Sequence, residues 1–117
     1  MTAADDPASP TARYATLCMV FFARGDADPP AVKRGFGRSA LTTGGRIFAM
    51  LPRGRLVVKL PQARVDALVG DGWGARFDAN RARPMKQWFV VDPAHEDDWL
   101  ALAEEALVFV RASTPPR

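Results

Sequence analysis

The sequence predicts an α+β domain, a small antiparallel sheet with helices packed on one of its faces. Segments with helical spacing of apolar residues lie near both ends of the chain, and short apolar segments separated by Gly and Pro turns lie between them. With 117 residues, 48% of them hydrophobic, the chain has the size of one domain with one core. We expect this domain to span residues 9–112, with a disordered tail at 1–8 and a C-terminal tail at 113–117.

The first predicted element is a helix that begins after Ser9. Ser9 suits the N-cap position, and Pro10 suits the first helical position, where no N–H donor is needed. Gly25 is expected to end this helix. Between them, four residues have the i, i+3, i+4, i+7 spacing of one buried face: Tyr14, Leu17, Cys18 and Phe21.

Three short strands are predicted next, as an antiparallel meander. We expect the first two over residues 39–43 and 46–51, with Gly44-Gly45 as the turn between them. A second turn at residues 52–54 leads to a third strand over residues 55–60, which is rich in β-branched residues.

The second half of the chain predicts a helix, a strand and a helix. Pro61 opens a helix to about Val69, and Gly70 or Gly72 ends it. Residues 85–91 form the strand. The last helix has the clearest pattern, because six apolar residues fall on one stripe: Trp99, Leu102, Ala103, Ala106, Leu107 and Val110. The predicted order of elements is α-β-β-β-α-β-α.

Charge is unevenly distributed along the chain, although the net charge is only +3. No acidic residue lies between Asp28 and Asp66, where eight Lys and Arg residues fall. From Asp92 to Glu105 the chain has six acidic residues and no Lys or Arg. This gradient predicts a basic face of the kind that binds polyanions. Two solvated faces that partly pair with each other would give the same pattern.

The segment from Arg81 to Trp88 mixes cations with an aromatic residue. That mixture can contact a nucleic-acid backbone and stack a base. The competing interpretation is a strand whose Trp88 packs in the core while Lys86 faces water. Strand alternation places Lys86, Trp88 and Val90 on one side and Gln87, Phe89 and Val91 on the other. Both sides then carry apolar groups, so we expect Trp88 to be at least partly buried.

Few residues could carry catalysis. A general-base or pH-sensing role for His95 competes with a surface position near a helix N-terminus, and Cys18 lies on an apolar stripe. The acidic run 96–98 lacks the pattern of a calcium loop. Residues 35–39 lack the lysine of a phosphate loop, and residues 70–74 follow a helix rather than precede one. We therefore expect no enzyme, no metal and no cofactor.

The longest unbroken apolar run, Leu17 to Ala23, has seven residues, far fewer than the roughly 20 that span a bilayer. The N-terminus is acidic, whereas a secretory signal begins with basic residues. The single Cys excludes an intramolecular disulfide. We expect a cytoplasmic protein with no membrane partner.

Four features occur in order along the chain: Gly44 to Met50 (GGRIFAM), Arg55 to Pro61 (RLVVKLP), Arg83 to Trp88 (RPMKQW) and a Trp-led helix ending in Ala106 to Val110 (ALVFV). Together they resemble the MmcQ/YjbR family, a TfoX N-terminal-like group of small bacterial proteins, over about residues 36–110. The resemblance implies an α+β fold of the secretion-chaperone-like type. It also implies a DNA-binding or regulatory role, and it supplies no catalytic residue.

We therefore expect a non-enzymatic binding module that contacts DNA phosphates rather than base edges. The alternative is a protein–protein interaction module or a homodimer with no nucleic-acid role, whose interface would use the three Trp and seven Phe residues. The hypothesis of an enzyme would be supported only by a phosphate-type ligand bound at residues 35–39. The expected phosphate contacts are Lys33, Arg34, Arg38, Arg53, Arg55, Arg81, Arg83 and Lys86.

Overall fold

The computed structural model describes residues 9–28, 40–77 and 85–113. Two 3₁₀ segments, Pro52–Gly54 and Pro93–Asp98, connect some of the elements. In these described ranges, none of the helices is long and apolar enough to cross a bilayer. Helices and strands follow in the order α1 (Pro10–Arg24), β1 (Leu41–Thr43), β2 (Arg46–Met50), β3 (Val57–Lys59), α2 (Gln62–Gly70), β4 (Gly74–Phe77), β5 (Met85–Val91) and α3 (Trp99–Ser113).

The strands form one antiparallel sheet in the order β1-β2-β3-β5-β4. The pairing of β3 with β5 continues one residue past each end of β3. The backbone N–H of Val91 donates to the carbonyl oxygen of Leu56 over 2.9 Å, and that of Leu60 donates to Gln87 over 2.9 Å. Residues 56–60 therefore follow one register along β5.

The two faces of this sheet differ. Residues that are partners in register point to the same side, so Ala49, Val58 and Phe89 share one side, which we call the helix face. All three are fully buried in a core that also holds residues from the three helices. Strand alternation places the other side chains on the opposite side, which we call the outer face: Met50, Val57, Lys59, Trp88 and Val90. The predicted α+β fold with helices on one face is confirmed.

Helix α1 has the predicted caps. The Ser9 hydroxyl accepts a hydrogen bond from the N–H of Ala12 over 3.2 Å, and Gly25 ends the helix with a left-handed φ of 75°. The helix is anchored on the sheet by Phe21, whose ring meets that of Phe48 edge-on with centroids 5.4 Å apart. Both rings are fully buried, so this contact fixes α1 against β2.

A bulge in β2 explains how Phe48 reaches the core. Leu41 pairs with Ala49 and Thr42 pairs with Ile47, which leaves Phe48 as an extra residue between the two pairs. A bulge of this kind breaks the simple alternation of side chains. As a result the consecutive residues Phe48 and Ala49 are both fully buried.

Strand β4 was not predicted, and the order of elements is α-β-β-β-α-β-β-α. The glycine-rich segment over residues 70–74 does more than end α2, because Gly74 begins β4. A Cβ atom at position 74 would overlap the carbonyl oxygen of Val90 on β5. The glycine is therefore needed for the close approach of two strands, a use that the sequence does not distinguish from a turn.

Candidate functional site

Three of the eight predicted phosphate contacts lie in the described residues. Arg53, Arg55 and Lys86 are all exposed. Within the described residues, none of the three is in an ion pair with a carboxylate. The other five lie outside the described residues: Lys33, Arg34, Arg38, Arg81 and Arg83.

The outer face brings Arg55 and Lys86 together with Lys59. Arg55 has an extended backbone, with φ −116° and ψ 134°, so alternation puts its side chain on the side of Lys59. Lys86 precedes Trp88 by two residues on β5, so simple alternation puts it on the same side, at the point where the pairing of β5 with β4 changes register. Because Val57 is the register partner of Val90, Lys86 lies six residues further along the sheet than Arg55. At the rise of an antiparallel strand this is about 20 Å.

Trp88 lies within this row of cations. Lys59 is its register partner, and the Nζ atom of Lys59 lies over the indole ring, 5.5 Å from its centroid. Trp88 is partly buried and Lys86 is exposed, as predicted. Trp88 is not part of the core, however, in which its neighbour Phe89 is fully buried. The predicted alternation of this strand is confirmed from Trp88 to Val91, because Trp88 and Val90 are only partly buried whereas Phe89 and Val91 are fully buried.

Lys59 was missed as a site residue. Its signal was present, since residues 55, 57 and 59 alternate along one strand that contains two cations. What the sequence does not supply is the register that sets Lys59 opposite Trp88. That register depends on pairing between strands that are more than 25 residues apart in the chain.

Most of the described arginines outside the outer face are paired with carboxylates. Each paired arginine contacts an acidic side chain that belongs to a helix, a 3₁₀ segment or the loop after α1. The closest N···O distances are Arg13–Glu96 at 3.2 Å, Arg24–Glu104 at 2.6 Å, Arg64–Glu105 at 2.9 Å, Arg76–Asp66 at 2.6 Å and Arg111–Asp26 at 3.7 Å.

The ion pair between Arg64 and Glu105 also shifts the pKa of Arg64. Two nitrogens of its guanidinium donate to the two oxygens of Glu105, over 2.9 and 3.1 Å. These hydrogen bonds raise the pKa of Arg64 above its ordinary value. Of the basic stretch between Asp28 and Asp66, Arg64 is the described cation that the acidic C-terminal region neutralises.

The remaining charges near the sheet are at its ends. Arg46 and Arg53 have no carboxylate partner in the described part of the chain and lie at the start of β2 and in the turn before Arg55. Two carboxylates border the outer face, Asp28 beside β1 and Asp92 after β5. Each accepts backbone N–H groups, over 2.8 and 3.1 Å at Asp28 and 2.9 Å at Asp92.

The two residues considered for catalysis, His95 and Cys18, both pack against other side chains of the fold. His95 is half-buried and stacks on Trp73, with ring centroids 4.0 Å apart and planes 12° apart. Cys18 packs against the core, and burial raises the pKa of its thiol. A nucleophilic cysteine needs the opposite shift. Among residues 9–28, 40–77 and 85–113, no three His, Cys, Asp or Glu side chains are grouped to hold a metal ion.

A second surface feature is an apolar groove on the helix side, with a volume of about 680 Å³. It runs between the start of α2 and helix α3. Val108, with 67% of its surface exposed, lines the groove together with Leu60 and Phe109. The Arg64–Glu105 ion pair lies along the same groove.

Comparisons with known proteins found no relative of this chain. No family model, no curated protein and no solved structure matches the chain. The resemblance to the MmcQ/YjbR family therefore stays a prediction from the sequence.

Proposed function

We propose that the protein is a non-enzymatic, cytoplasmic nucleic-acid-binding module of the MmcQ/YjbR type. In this proposal the outer face of the sheet contacts the DNA backbone. The observation that carries it is the separation of charges among the described residues. Most of the described arginines outside the outer face are paired with carboxylates, whereas Arg55, Lys59 and Lys86 have no carboxylate partner among the described residues.

An unpaired cation is better suited to a phosphate than a paired one, because no ion pair has to be broken on binding. Arg55 can offer two parallel N–H donors to one phosphate, and the two lysines act as point charges. Contacts of this kind fix the position of the backbone without reading its sequence.

The test is fluorescence anisotropy of a labelled duplex DNA across a salt series. Each neutralised phosphate contributes about −0.9 to the slope of log affinity against log salt, so three to six contacts give about −2.7 to −5.4. With three contacts, affinity falls about 40-fold between 50 and 200 mM salt. Absence of binding at 50 mM salt would contradict the proposal.

Two triple variants distinguish the effect of the outer-face cations on binding from the effect of the protein's net charge. The control replaces three paired arginines of the helix side with glutamine: Arg24, Arg64 and Arg76. The test variant replaces the three outer-face cations with glutamine: Arg55, Lys59 and Lys86. Both lose the same charge, and we expect only the test variant to lose the salt-dependent binding. Equal loss in both variants would mean that binding follows net charge and not this face.

The alternative is a protein-interaction module or a homodimer, and the groove beside α3 favours it. Val108 exposes two-thirds of its surface there, and apolar side chains are typical of the cores of interfaces. Light scattering over a concentration series tests the homodimer. A mass that doubles in wild type but not in Val108→Glu would support it, and a monomeric mass throughout would exclude it.

A further inference from the structure

Trp88 has a flat side chain that the fold does not use for its core. It is half-buried on the outer face, while its neighbours Phe89 and Val91 fill the core on the helix face. In the described part of the chain its indole stacks on no other ring, and its contact is the ammonium group of Lys59. An aromatic ring placed between cations on a sheet is the arrangement that holds single-stranded nucleic acids.

We propose that the outer face binds single-stranded nucleic acid in preference to duplex, with one base stacked on Trp88. This inference rests on the proposed function and names its substrate class. The bases of a duplex are already stacked and paired, so they present no free plane to the indole. An unpaired base does, and its neighbouring phosphates then fall near Lys59 and Lys86.

The distances between these side chains suit one nucleotide and its two phosphates. Lys86 is two residues from Trp88 on the same strand, about 7 Å away, and Lys59 is on the adjacent strand, about 5 Å away. The cations therefore flank the ring from two directions. Arg55 lies on the other side of Lys59, beyond Val57, which is buried.

Binding requires Lys59 to move from the ring to a phosphate. Its cation–π contact at a half-exposed site is worth about two- to fivefold in affinity. One base stacked on an aromatic side chain is worth roughly 5- to 140-fold. The exchange therefore favours the bound state, in which Lys59 gains a charged partner, the phosphate.

The test uses fluorescence anisotropy with three labelled nucleic acids. They are a 12-nucleotide deoxythymidine strand (dT12), a 12-nucleotide uridine strand (U12) and a 12-base-pair DNA duplex. We expect tighter binding of at least one single strand than of the duplex. Trp88→Leu should weaken single-strand binding roughly 5- to 140-fold and change duplex binding less than twofold. Its salt slope should match that of wild type, because no phosphate contact is lost. Lys86→Gln should instead flatten the single-strand slope by about 0.7.

The matched control is Trp73→Phe, which changes an indole that stacks on His95 and packs against the core. It should leave all three affinities unchanged. In this background, dT12 should quench the remaining tryptophan fluorescence, and adding Trp88→Phe should remove the quenching. Trp88→Phe also keeps an aromatic plane, so its affinity should lie between those of wild type and Trp88→Leu, which keeps the test decisive if the leucine variant unfolds.

Binding of dT12 and binding of U12 distinguish single-stranded DNA from single-stranded RNA as the ligand. Tight binding of either one supports the inference. Unchanged dT12 and U12 affinities in Trp88→Leu would overturn it. A duplex preference of tenfold or more would also overturn it, while salt-dependent duplex binding would leave the proposed function intact. Failure of all three nucleic acids to bind at 50 mM salt would overturn both.

Discussion

Asp28 offers a test of how the chain after α1 holds the first hairpin of the sheet. Its Oδ2 atom accepts hydrogen bonds from the hydroxyl of Thr42 over 2.9 Å and from the N–H of Gly45 over 2.8 Å. Its Oδ1 atom accepts the N–H of Gly44 over 3.1 Å. Gly44 and Gly45 both have positive φ, so the carboxylate stabilises a turn that depends on glycine.

The change Asp28→Asn removes one of these three hydrogen bonds and takes the charge from the other two. An asparagine oxygen at the Oδ2 position still accepts from Thr42 and Gly45, but its NH₂ group then faces the N–H donor of Gly44. Hydrogen bonds to a charged group contribute about 1.5–3 kcal/mol each. Because this site is partly exposed, we expect a total loss of about 2 kcal/mol in the free energy of unfolding. For a chain of this length that lowers Tm by about 8 °C.

The effect depends on pH in a defined direction. Hydrogen bonds from Gly45, Thr42 and Gly44 lower the pKa of Asp28 below its ordinary value of 3.8. The stabilisation is therefore complete above the pKa of the unfolded chain and is lost as pH falls through the lower folded pKa. The stability difference between wild type and Asp28→Asn should be constant from pH 5 to 8 and should shrink below about pH 4.

Urea unfolding at several pH values measures this difference. Asp97→Asn is the control, because that side chain is 95% exposed and meets Arg13 only at 3.7 Å, so its loss should leave the midpoint unchanged. An Asp28→Asn protein as stable as wild type at pH 7 would refute the role assigned to the carboxylate. A difference that persists undiminished at pH 3 would refute the assigned cause.

Two further predictions concern the core and the close strand pair. Phe48→Ala removes a fully buried ring that packs edge-on against Phe21, and it should cost about 3–5 kcal/mol in urea unfolding. A cost below 1 kcal/mol would contradict the packing of α1 on β2. Gly74→Ala places a Cβ against the carbonyl oxygen of Val90 and should cost about 3 kcal/mol, with faster amide exchange in β4; wild-type exchange rates in β4 would contradict the close approach.

Local chemistry was sufficient to predict most elements of the fold. The helix from Pro10 to Arg24 has a serine cap, a proline in its first turn and a glycine after its end, and each acts through its own backbone preferences. The strand at residues 85–91 has the predicted bounds. Strand β4 was missed because its four residues have no alternation of apolar and polar side chains, and its place depends on contact with β5.

The candidate site was only partly predictable for a related reason. A charge gradient along the chain gives the cations, but it does not say which of them share a face. Arg64 belongs to the same basic stretch as Arg55, yet it lies on α2 and is paired with Glu105. The pairing of Lys59 with Trp88 follows from strand register, which is a property of the folded sheet and not of either segment alone.

Amide chemical-shift mapping by NMR, during titration with a short DNA, tests most directly whether nucleic acid binds the outer face. The proposal predicts the largest shifts at Arg55, Lys59 and Lys86 and at the indole N–H of Trp88. Shifts concentrated instead around Val108 on α3 would contradict it and would assign the helix-side groove as the binding surface.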